Sequence, residues 1–276
     1  MMRADLHIHT FCSDGAYSPE EIARRVKQAG VSLFSVTDHD NAEGTERAAR
    51  AALKEGLRFV CGMEISAYNE CGKVHVLGYR LQKNSAYLRF LKMRKEGAYL
   101  RAEDSLKKAN AYFNTALTMD DVEEFHRQKS APLHTMHAVD AFAKRLGRER
   151  GELYRETFAF GKPAYSGLCR PTPESAVEAI HAMGGIACLA HPAQIGGSAL
   201  IRRELIENLT LAGLDGIECY HPTHTERESA EFVSYAKEKN LLVTGGSDFH
   251  ADGRERILGL PEFYPSDALI KALFSA

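Results

Sequence analysis

Histidines and carboxylates occur in this sequence at spacings that could bind metal ions. His7 and His9 are separated by one residue, and so are Asp248 and His250. Alternate residues of an extended chain point to the same side, so each pair presents two ligands in one direction. Neutral imidazole nitrogens and carboxylate oxygens suit Zn²⁺, Mn²⁺ or Fe²⁺. These pairs therefore indicate metal chemistry, in which a divalent cation activates water or stabilises developing negative charge.

Similar residues recur singly at the ends of predicted strands. A lone histidine there is usually a satisfied polar residue, so each one alone would favour a structural role. Six of the twelve histidines lie at such ends, however, and without cations they would be crowded against carboxylates. Divalent cations would resolve that conflict. The candidate ligands found in this way are His7, His9, His39, Glu64, His75, His191, Asp248 and His250.

The elements that must position these side chains alternate between strand and helix, which predicts parallel βαβ architecture. In such a sheet or barrel, functional side chains collect at the carboxyl ends of the strands, because the loops there face one mouth. The predicted strands are residues 3–8, 31–36, 57–65, 73–78, 185–190, 216–220 and 241–245. A hairpin-like turn at Asn69 to Gly72 is predicted between the third and the fourth of them.

Residues 80–163 interrupt this alternation, because they are charged, helix-prone and poor in β-branched runs. We therefore predict a mainly helical insertion at 80–163, placed between the two parts, 1–79 and 164–276, of one α/β domain.

Composition limits the classes of function. The 276 residues are 44% apolar, and 35 basic residues nearly balance 37 acidic ones. No bulk charge draws the protein to nucleic acid or anionic lipid, so we expect a small-molecule substrate and no stable nucleic-acid complex. The chain opens without a signal-peptide pattern and has no apolar run of about 20 residues, which predicts a soluble, cytoplasmic protein without a membrane partner. The six scattered cysteines form no C-x-x-C motif and indicate neither a disulfide framework nor a sulfur-ligated zinc site.

Seven short motifs follow one another in a characteristic order: D-L-H-I-H-T (5–10), S-D-G (13–15), T-D-H-D (37–40), G-M-E-I-S (62–66), H-V-L-G-Y (75–79), A-H-P (190–192) and G-S-D-F-H (246–250). In this order they resemble the polymerase and histidinol phosphatase (PHP) family, and within it the metal-dependent phosphoesterases that carry a helical insertion. The resemblance covers both flanks of the predicted insertion.

The resemblance implies a fold, a metal site and a reaction. The fold is a distorted (β/α)7 barrel that holds three divalent metal ions. The reaction is hydrolysis of a phosphate ester by a hydroxide that bridges two of these metals. Carried over position by position, nine ligands serve three metals: His7, His9, Glu64 and Asp248 the first; Glu64 again, with His75 and His191, the second; Asp14, His39 and His250 the third.

Other candidate residues lie in or beside the insertion. His134 and His137 are candidates for the catalytic acid that protonates the leaving group. Lys162 and Arg170 are candidates for binding a substrate phosphate, although a solvated surface role explains them equally well.

Two positions depart from the family pattern. An Arg-x-His element common in the insertion of relatives would align its histidine with His134, but its arginine position is Pro132. Gln194 occupies a position where relatives often have a basic residue. Both changes remove positive charge, so we expect a phosphomonoester or a cyclic phosphodiester with a single phosphorus.

Three alternatives remain beside this hypothesis. A nucleoside 3′,5′-bisphosphate 3′-phosphatase is the first. A metal-dependent amidohydrolase is less favoured, because no strand end offers a candidate carboxylated lysine. A non-catalytic metal-binding module is least favoured, because every matched ligand position is filled. The remaining strand-end and helical histidines, His181, His221 and His224, are predicted to be structural.

Overall fold

A computed structural model of the chain describes residues 2–70, 72–126, 133–253 and 256–275. The chain divides into two compact units. The first consists of Met1–Leu88 and Pro171–Ala276, and the second of Arg89–Arg170. The predicted insertion bounds, 80–163, stay a prediction.

The first unit contains a seven-stranded sheet whose strands neighbour one another in chain order. Strands β1 to β3 pair in parallel, and so do β5 to β7, whereas β4 runs antiparallel to both of its neighbours. The strands are β1 (Ala4–Asp5), β2 (Leu33–Val36), β3 (Arg58–Asn69), β4 (Gly72–Tyr79), β5 (Ile186–Leu189), β6 (Gly216–Tyr220) and β7 (Leu242–Gly245).

Hydrogen bonds between the first and last strands nearly close this sheet. The Leu6 N–H donates to the Gly245 carbonyl at 3.1 Å, and the His9 N–H donates to the Phe249 carbonyl at 2.9 Å. Closure brings the loops after β1 and β7 together at one mouth. The predicted distorted α/β barrel is thus confirmed, with β4 as its reversed strand.

Helices connect the strands and form the second unit. Ser18 caps the first helix by accepting from the Glu21 N–H at 3.1 Å, and Gly56 ends the second in the left-handed region with φ of 70°. In the described part of the chain the α-helices are α1 (Pro19–Gln28), α2 (Thr45–Glu55), α3 (Ser85–Phe113), α4 (Met119–Glu123), α5 (Thr135–Leu146), α6 (Arg150–Leu153), α7 (Pro173–Ala182), α8 (Ala199–Leu211), α9 (Glu226–Glu238) and α10 (Asp267–Phe274).

Apolar side chains fill the barrel below the mouth. Leu6, Leu33, Leu77 and Cys188 are fully buried in one cluster, together with Tyr79, whose hydroxyl donates to the Leu6 carbonyl at 3.1 Å. Burying one such leucine stabilises the fold by about 1.5–3 kcal/mol. This packing holds the first strand in place directly beneath the His-x-His pair.

The second unit has its own core. Leu106, Val139, Phe142 and Leu153 pack together between α3, α5 and α6, and a π-helical turn, Tyr154–Phe158, follows. This unit is mainly helical, as the composition predicts. None of the helices in the part of the chain that the structure describes combines the length and apolar character that a membrane span requires.

Candidate metal centre

The barrel mouth brings together nine imidazole and carboxylate side chains. Most are buried, whereas Asp14 is exposed and His39 is partly exposed. They are the nine predicted ligands: His7, His9, Asp14, His39, Glu64, His75, His191, Asp248 and His250.

The reversed strand explains the position of His75. This residue lies near the beginning of β4, where a strand parallel to the others would place it at the opposite end of the barrel. Because β4 is antiparallel to β3, His75 is instead paired with Ser66, two residues beyond Glu64. It therefore lies at the same mouth as the ligands that follow the parallel strands.

Glu64 lies between two sets of imidazoles. Its Oε2 atom is 3.2 Å from Nε2 of His7 and 3.1 Å from Nε2 of His9. Its Oε1 atom is 2.6 Å from Nδ1 of His75 and 3.0 Å from Nε2 of His191. Each carboxylate oxygen thus faces a different set, which is the arrangement a carboxylate needs to bridge two cations.

Asp248 completes the group around Oε2 of Glu64. Its Oδ1 atom is 3.4 Å from Nε2 of His7 and 3.2 Å from Nε2 of His9. One ligand atom from each of these four residues lies within 4.8 Å of all the others. This group has the composition predicted for the first metal.

A third group forms around Asp14. Its Oδ2 atom is 3.3 Å from Nε2 of His250, and its Oδ1 atom is 3.5 Å from Nδ1 of His9. His250 Nδ1 lies 2.8 Å from the Asp248 carbonyl oxygen. Since a carbonyl only accepts, Nδ1 carries the proton, and the lone pair of Nε2 faces the group.

His39 lies between Glu64 and Asp14. Its Nδ1 atom is 3.1 Å from Oε2 of Glu64, and its Nε2 atom is 3.8 Å from Oδ2 of Asp14. The structure thus places His39 beside Asp14, its predicted partner at the third metal, and also beside Glu64.

Several buried nitrogen and oxygen atoms of the cluster lack a hydrogen-bond partner in the described part of the chain and are therefore available to bind metal ions. Nε2 of His7, Nε2 of His9, Nδ1 of His39 and Oε2 of Glu64 are buried, and none has a hydrogen-bond partner among the described residues. Such an atom costs about 1–3 kcal/mol if nothing satisfies it. Cation–ligand distances of about 2.0–2.2 Å would separate neighbouring ligand atoms by roughly 3–3.5 Å. The separations of 3.1–3.4 Å within the first group match that requirement.

The charges also favour cations. Burial would raise the pKa of Glu64, but the surrounding imidazoles hold it well below its usual range. Burial would lower the pKa of His9, but the Asp248 and Glu64 carboxylates raise it to about 10. Burial lowers the pKa of His39 to about 3 and that of His75 to about 4. Protons therefore compete with cations for His9 at neutral pH, and metal affinity is expected to rise with pH until about pH 10.

Residues behind the ligands were missed by sequence reasoning. The Glu218 carboxylate is fully buried in β6 and lies 3.0 Å from Nδ1 of His7. His221, predicted to be structural, has its Nε2 atom 3.3 Å from Oδ2 of Asp248. Glu218 lies in β6 and His221 directly follows it, at the end of the strand that meets the mouth. Their position at a strand end, the feature that pointed to the other ligands, could therefore have indicated a role at the site.

An arginine and a second buried carboxylate support the loop after β7. Nη1 of Arg256 is 2.5 Å from Oδ2 of Asp248, and 27% of the Arg256 side chain is exposed. Asp5 accepts hydrogen bonds from the Ser247 hydroxyl at 2.6 Å and from the Gly259 N–H at 2.8 Å. These contacts fix the segment that carries the Asp-x-His pair.

The two candidate catalytic acids lie at the start of α5 in the second unit. His134 is exposed and precedes the helix. Its N–H donates to Nδ1 of His137 at 2.9 Å, so that nitrogen of His137 is occupied by the helix start. Burial lowers the pKa of His137. The role of both histidines stays a prediction.

The candidate phosphate-binding residues also lie in the second unit. Lys162 is exposed, and Nε of Arg170 donates to the Ser166 carbonyl at 3.0 Å. Their roles stay predictions. Pro132 lies outside the described residues, and Gln194 is exposed in a short 3₁₀ turn after β5.

Comparison with known proteins identifies the family. Residues 5–135 match the sequence profile of the PHP domain. The 3′,5′-nucleoside bisphosphate phosphatase of Chromobacterium violaceum is 33% identical to this chain, over 92% of this chain and 89% of its own length. This chain belongs to the PHP family. It is a phosphoesterase of this family, and the resemblance found in the motifs is confirmed.

Other similar PHP relatives have different substrates. A 5′-3′ exoribonuclease of Haemophilus influenzae is 30% identical, over 89% of both chains. A phosphoribosyl 1,2-cyclic phosphate 1,2-diphosphodiesterase of Eggerthella lenta is also 30% identical, over 90% of this chain and 94% of its own. The solved structure of a proposed metal-dependent phosphoesterase from Bifidobacterium adolescentis superposes with a TM-score of 0.77 at 24% identity, covering 98% of this chain and 95% of that one. This last likeness shows the shared PHP fold.

Proposed function

We propose that this PHP protein hydrolyses small phosphate esters, either phosphomonoesters or cyclic phosphodiesters, with three divalent metal ions in the barrel mouth. The observation that carries the proposal is the position of Glu64, whose two oxygens face two different sets of imidazoles. A carboxylate placed in this way suits a centre in which two cations are held close together.

The proposed metal positions use the three ligand sets carried over from the family. Mn²⁺, Zn²⁺ and Fe²⁺ all suit these nitrogen and oxygen donors. Bound there, such cations would lower the pKa of water and offset charge on the phosphoryl oxygens. The ligands would be His7, His9, Glu64 and Asp248 for the first; Glu64, His75 and His191 for the second; and Asp14, His39 and His250 for the third.

The chain's own residues contribute binding and proton transfer. Arg256 has five N–H donors, and a part-exposed guanidinium beside Asp248 can also donate to a phosphate oxygen. Exposed His134 would donate a proton to the departing alkoxide. Lys162 and Arg170 are the proposed residues for binding a substrate phosphate.

The substrate proposal rests on charge. Pro132 and Gln194 replace two cationic groups that could bind a second phosphate, so one phosphorus should suffice. Nucleoside 3′,5′-bisphosphates are the alternative substrate class, because the similar Chromobacterium protein is a phosphatase of these compounds. The Haemophilus relative adds oligoribonucleotides as a class to be tested, whereas the near-neutral charge of this chain favours small molecules.

A substrate panel tests the proposal. With Mn²⁺ added, kcat/KM is compared for nucleoside monophosphates, cyclic phosphodiesters, nucleoside 3′,5′-bisphosphates, a 5′-phosphorylated oligoribonucleotide, an amide and a lactone. Matched mono- and bisphosphates of one nucleoside isolate the second phosphate. We expect single-phosphorus substrates to be turned over at least as efficiently as bisphosphates. A hundredfold preference for the bisphosphate, about 2.7 kcal/mol of transition-state binding, would contradict this.

A further inference from the structure

We propose that Glu218 is a positioning residue that fixes one ligand of the first metal position and one of the second at the same time. Its side chain is fully buried in β6, and its two oxygens contact different ligands. One oxygen contacts the ring of His7 and the other the backbone of His191. This inference rests on the metal centre of the proposed function and adds a residue that is not a ligand.

The contact with His7 selects a tautomer. Oε1 of Glu218 is 3.0 Å from Nδ1 of His7, and a carboxylate accepts, so Nδ1 carries the proton. The lone pair is then on Nε2, the atom that faces Glu64 at 3.2 Å and Asp248 at 3.4 Å. Glu218 thereby keeps the metal-facing nitrogen of His7 available for a cation.

The contact with His191 holds a strained backbone. Oε2 of Glu218 accepts from the His191 N–H at 2.7 Å, a short bond to a charged acceptor. His191 has φ of 27° and ψ of 59°, in the left-handed region that residues with a side chain rarely adopt. This turn directs the ring towards Glu64, 3.0 Å from Nε2. Without the acceptor, the turn would lose the contact that holds its peptide in place.

An amide cannot replace this carboxylate. In Glu218→Gln, one side-chain atom still accepts a hydrogen bond, but the other becomes an NH₂ donor. If the oxygen stays with His191, the NH₂ faces His7 and favours the tautomer with a proton on Nε2. If the amide is flipped, the NH₂ opposes the His191 N–H. Either orientation disturbs one metal position while the shape of the side chain is kept.

Strand β6 offers a matched control at its other end. Asp215, just before β6, contacts Nε2 of His181 at 2.8 Å, and both side chains are 38% exposed. Asp215→Asn therefore removes the charge of another carboxylate–histidine pair without changing a ligand of the centre.

The experiment measures Mn²⁺ binding to the full-length protein in the absence of substrate. Affinity is obtained by competition with a chelating dye, and stoichiometry by elemental analysis after desalting. We expect Glu218→Gln to weaken Mn²⁺ binding about 10–100-fold, the usual effect of losing a partner of a metal ligand, with kcat falling more than KM rises. Asp215→Asn should bind Mn²⁺ like the wild type. A folded Glu218→Gln protein with wild-type Mn²⁺ affinity would overturn the inference.

A second variant covers the case in which Glu218→Gln does not fold. Glu218→Asp keeps the charge but is one methylene shorter, so it can reach His7 or His191 but not both. A Mn²⁺ affinity of Glu218→Asp below that of the wild type supports the inference, and wild-type affinity overturns it. A wild-type protein that binds three Mn²⁺ yet hydrolyses no phosphate ester would overturn the proposed function alone. A wild-type protein that binds no Mn²⁺ would overturn both.

Discussion

Two groups of histidines in this molecule differ in what surrounds them. In the second unit, the ring of His137 lies 4.9 Å from that of His126 and 6.0 Å from that of His134. In the barrel, the rings of His9 and His250 are even closer, at 4.2 Å. The barrel rings, however, are interleaved with buried carboxylates, and the three groups of close metal-binding atoms found among the described residues all consist of barrel residues.

The comparison shows that carboxylates, rather than histidine density, determine the chemistry of such a cluster. Burial lowers the pKa of His137, as it would that of His9, but two carboxylates reverse the effect at His9 and raise its pKa to about 10. A site that binds protons so strongly also favours metal cations. The barrel cluster is therefore suited to metals, whereas proton transfer stays the predicted role of His134 and His137.

The largest effect is expected from removing the charge of Glu64, the proposed bridging carboxylate of the barrel cluster. In Glu64→Gln, we expect kcat to fall about 10⁴-fold or more. The proposed ligands act as one unit, so the loss of one of them should remove most of the activity of the enzyme. Bound metal should fall as well. Elemental analysis and phosphate release are measured on the same sample, with Glu204→Gln on the exposed side of α8 as control. A normal kcat with only a raised KM would remove Glu64 from the centre.

Replacing the second unit's histidines should have a different effect. His134→Ala is expected to lower kcat about 10²-fold for alkyl phosphates, since a proton donor is lost, and to leave bound metal unchanged. A p-nitrophenyl ester, whose leaving group needs no proton, should be nearly unaffected. His181→Ala, which removes a part-exposed histidine paired with Asp215, serves as the control. Equal losses for both esters would exclude His134 as the acid.

The smallest expected effect concerns Arg256, the cation beside Asp248. Arg256→Met should raise KM for a phosphomonoester about tenfold, or 1.4 kcal/mol, and change kcat less. Arg227→Met, on an exposed part of α9, is the control. If KM is unchanged while bound metal falls, Arg256 acts through Asp248 and does not bind substrate.

Much of the barrel could be predicted from the sequence, because hydrophobic runs and helix caps are local signals. The predicted strand 216–220 coincides with β6, and 241–245 differs from β7 by one residue. The motif order led to the nine residues at the mouth. The reversal of β4, which brings His75 there, had a local signal in the hairpin-like turn at 69–72, whereas the antiparallel pairing of β4 with β5 joins segments far apart in the chain and had none.

The supporting residues were harder to find for physical reasons. Glu218 lies inside a buried strand, where its partners come from positions far away in the chain. Arg256 lies in a loop without periodicity, and its contact with Asp248 arises only when the barrel closes. The left-handed backbone of His191 is likewise imposed by its surroundings, since isolated residues with side chains avoid that region.

The central claim is that catalysis depends on metal ions in the barrel mouth. The most direct test is to strip the wild-type protein with a chelator, add Mn²⁺ stepwise, and measure bound Mn²⁺ and phosphate release from a phosphomonoester at each step. We predict no turnover without metal, recovery as the sites fill, and saturation near three Mn²⁺ per chain. Full activity in the exhaustively chelated protein would contradict the account.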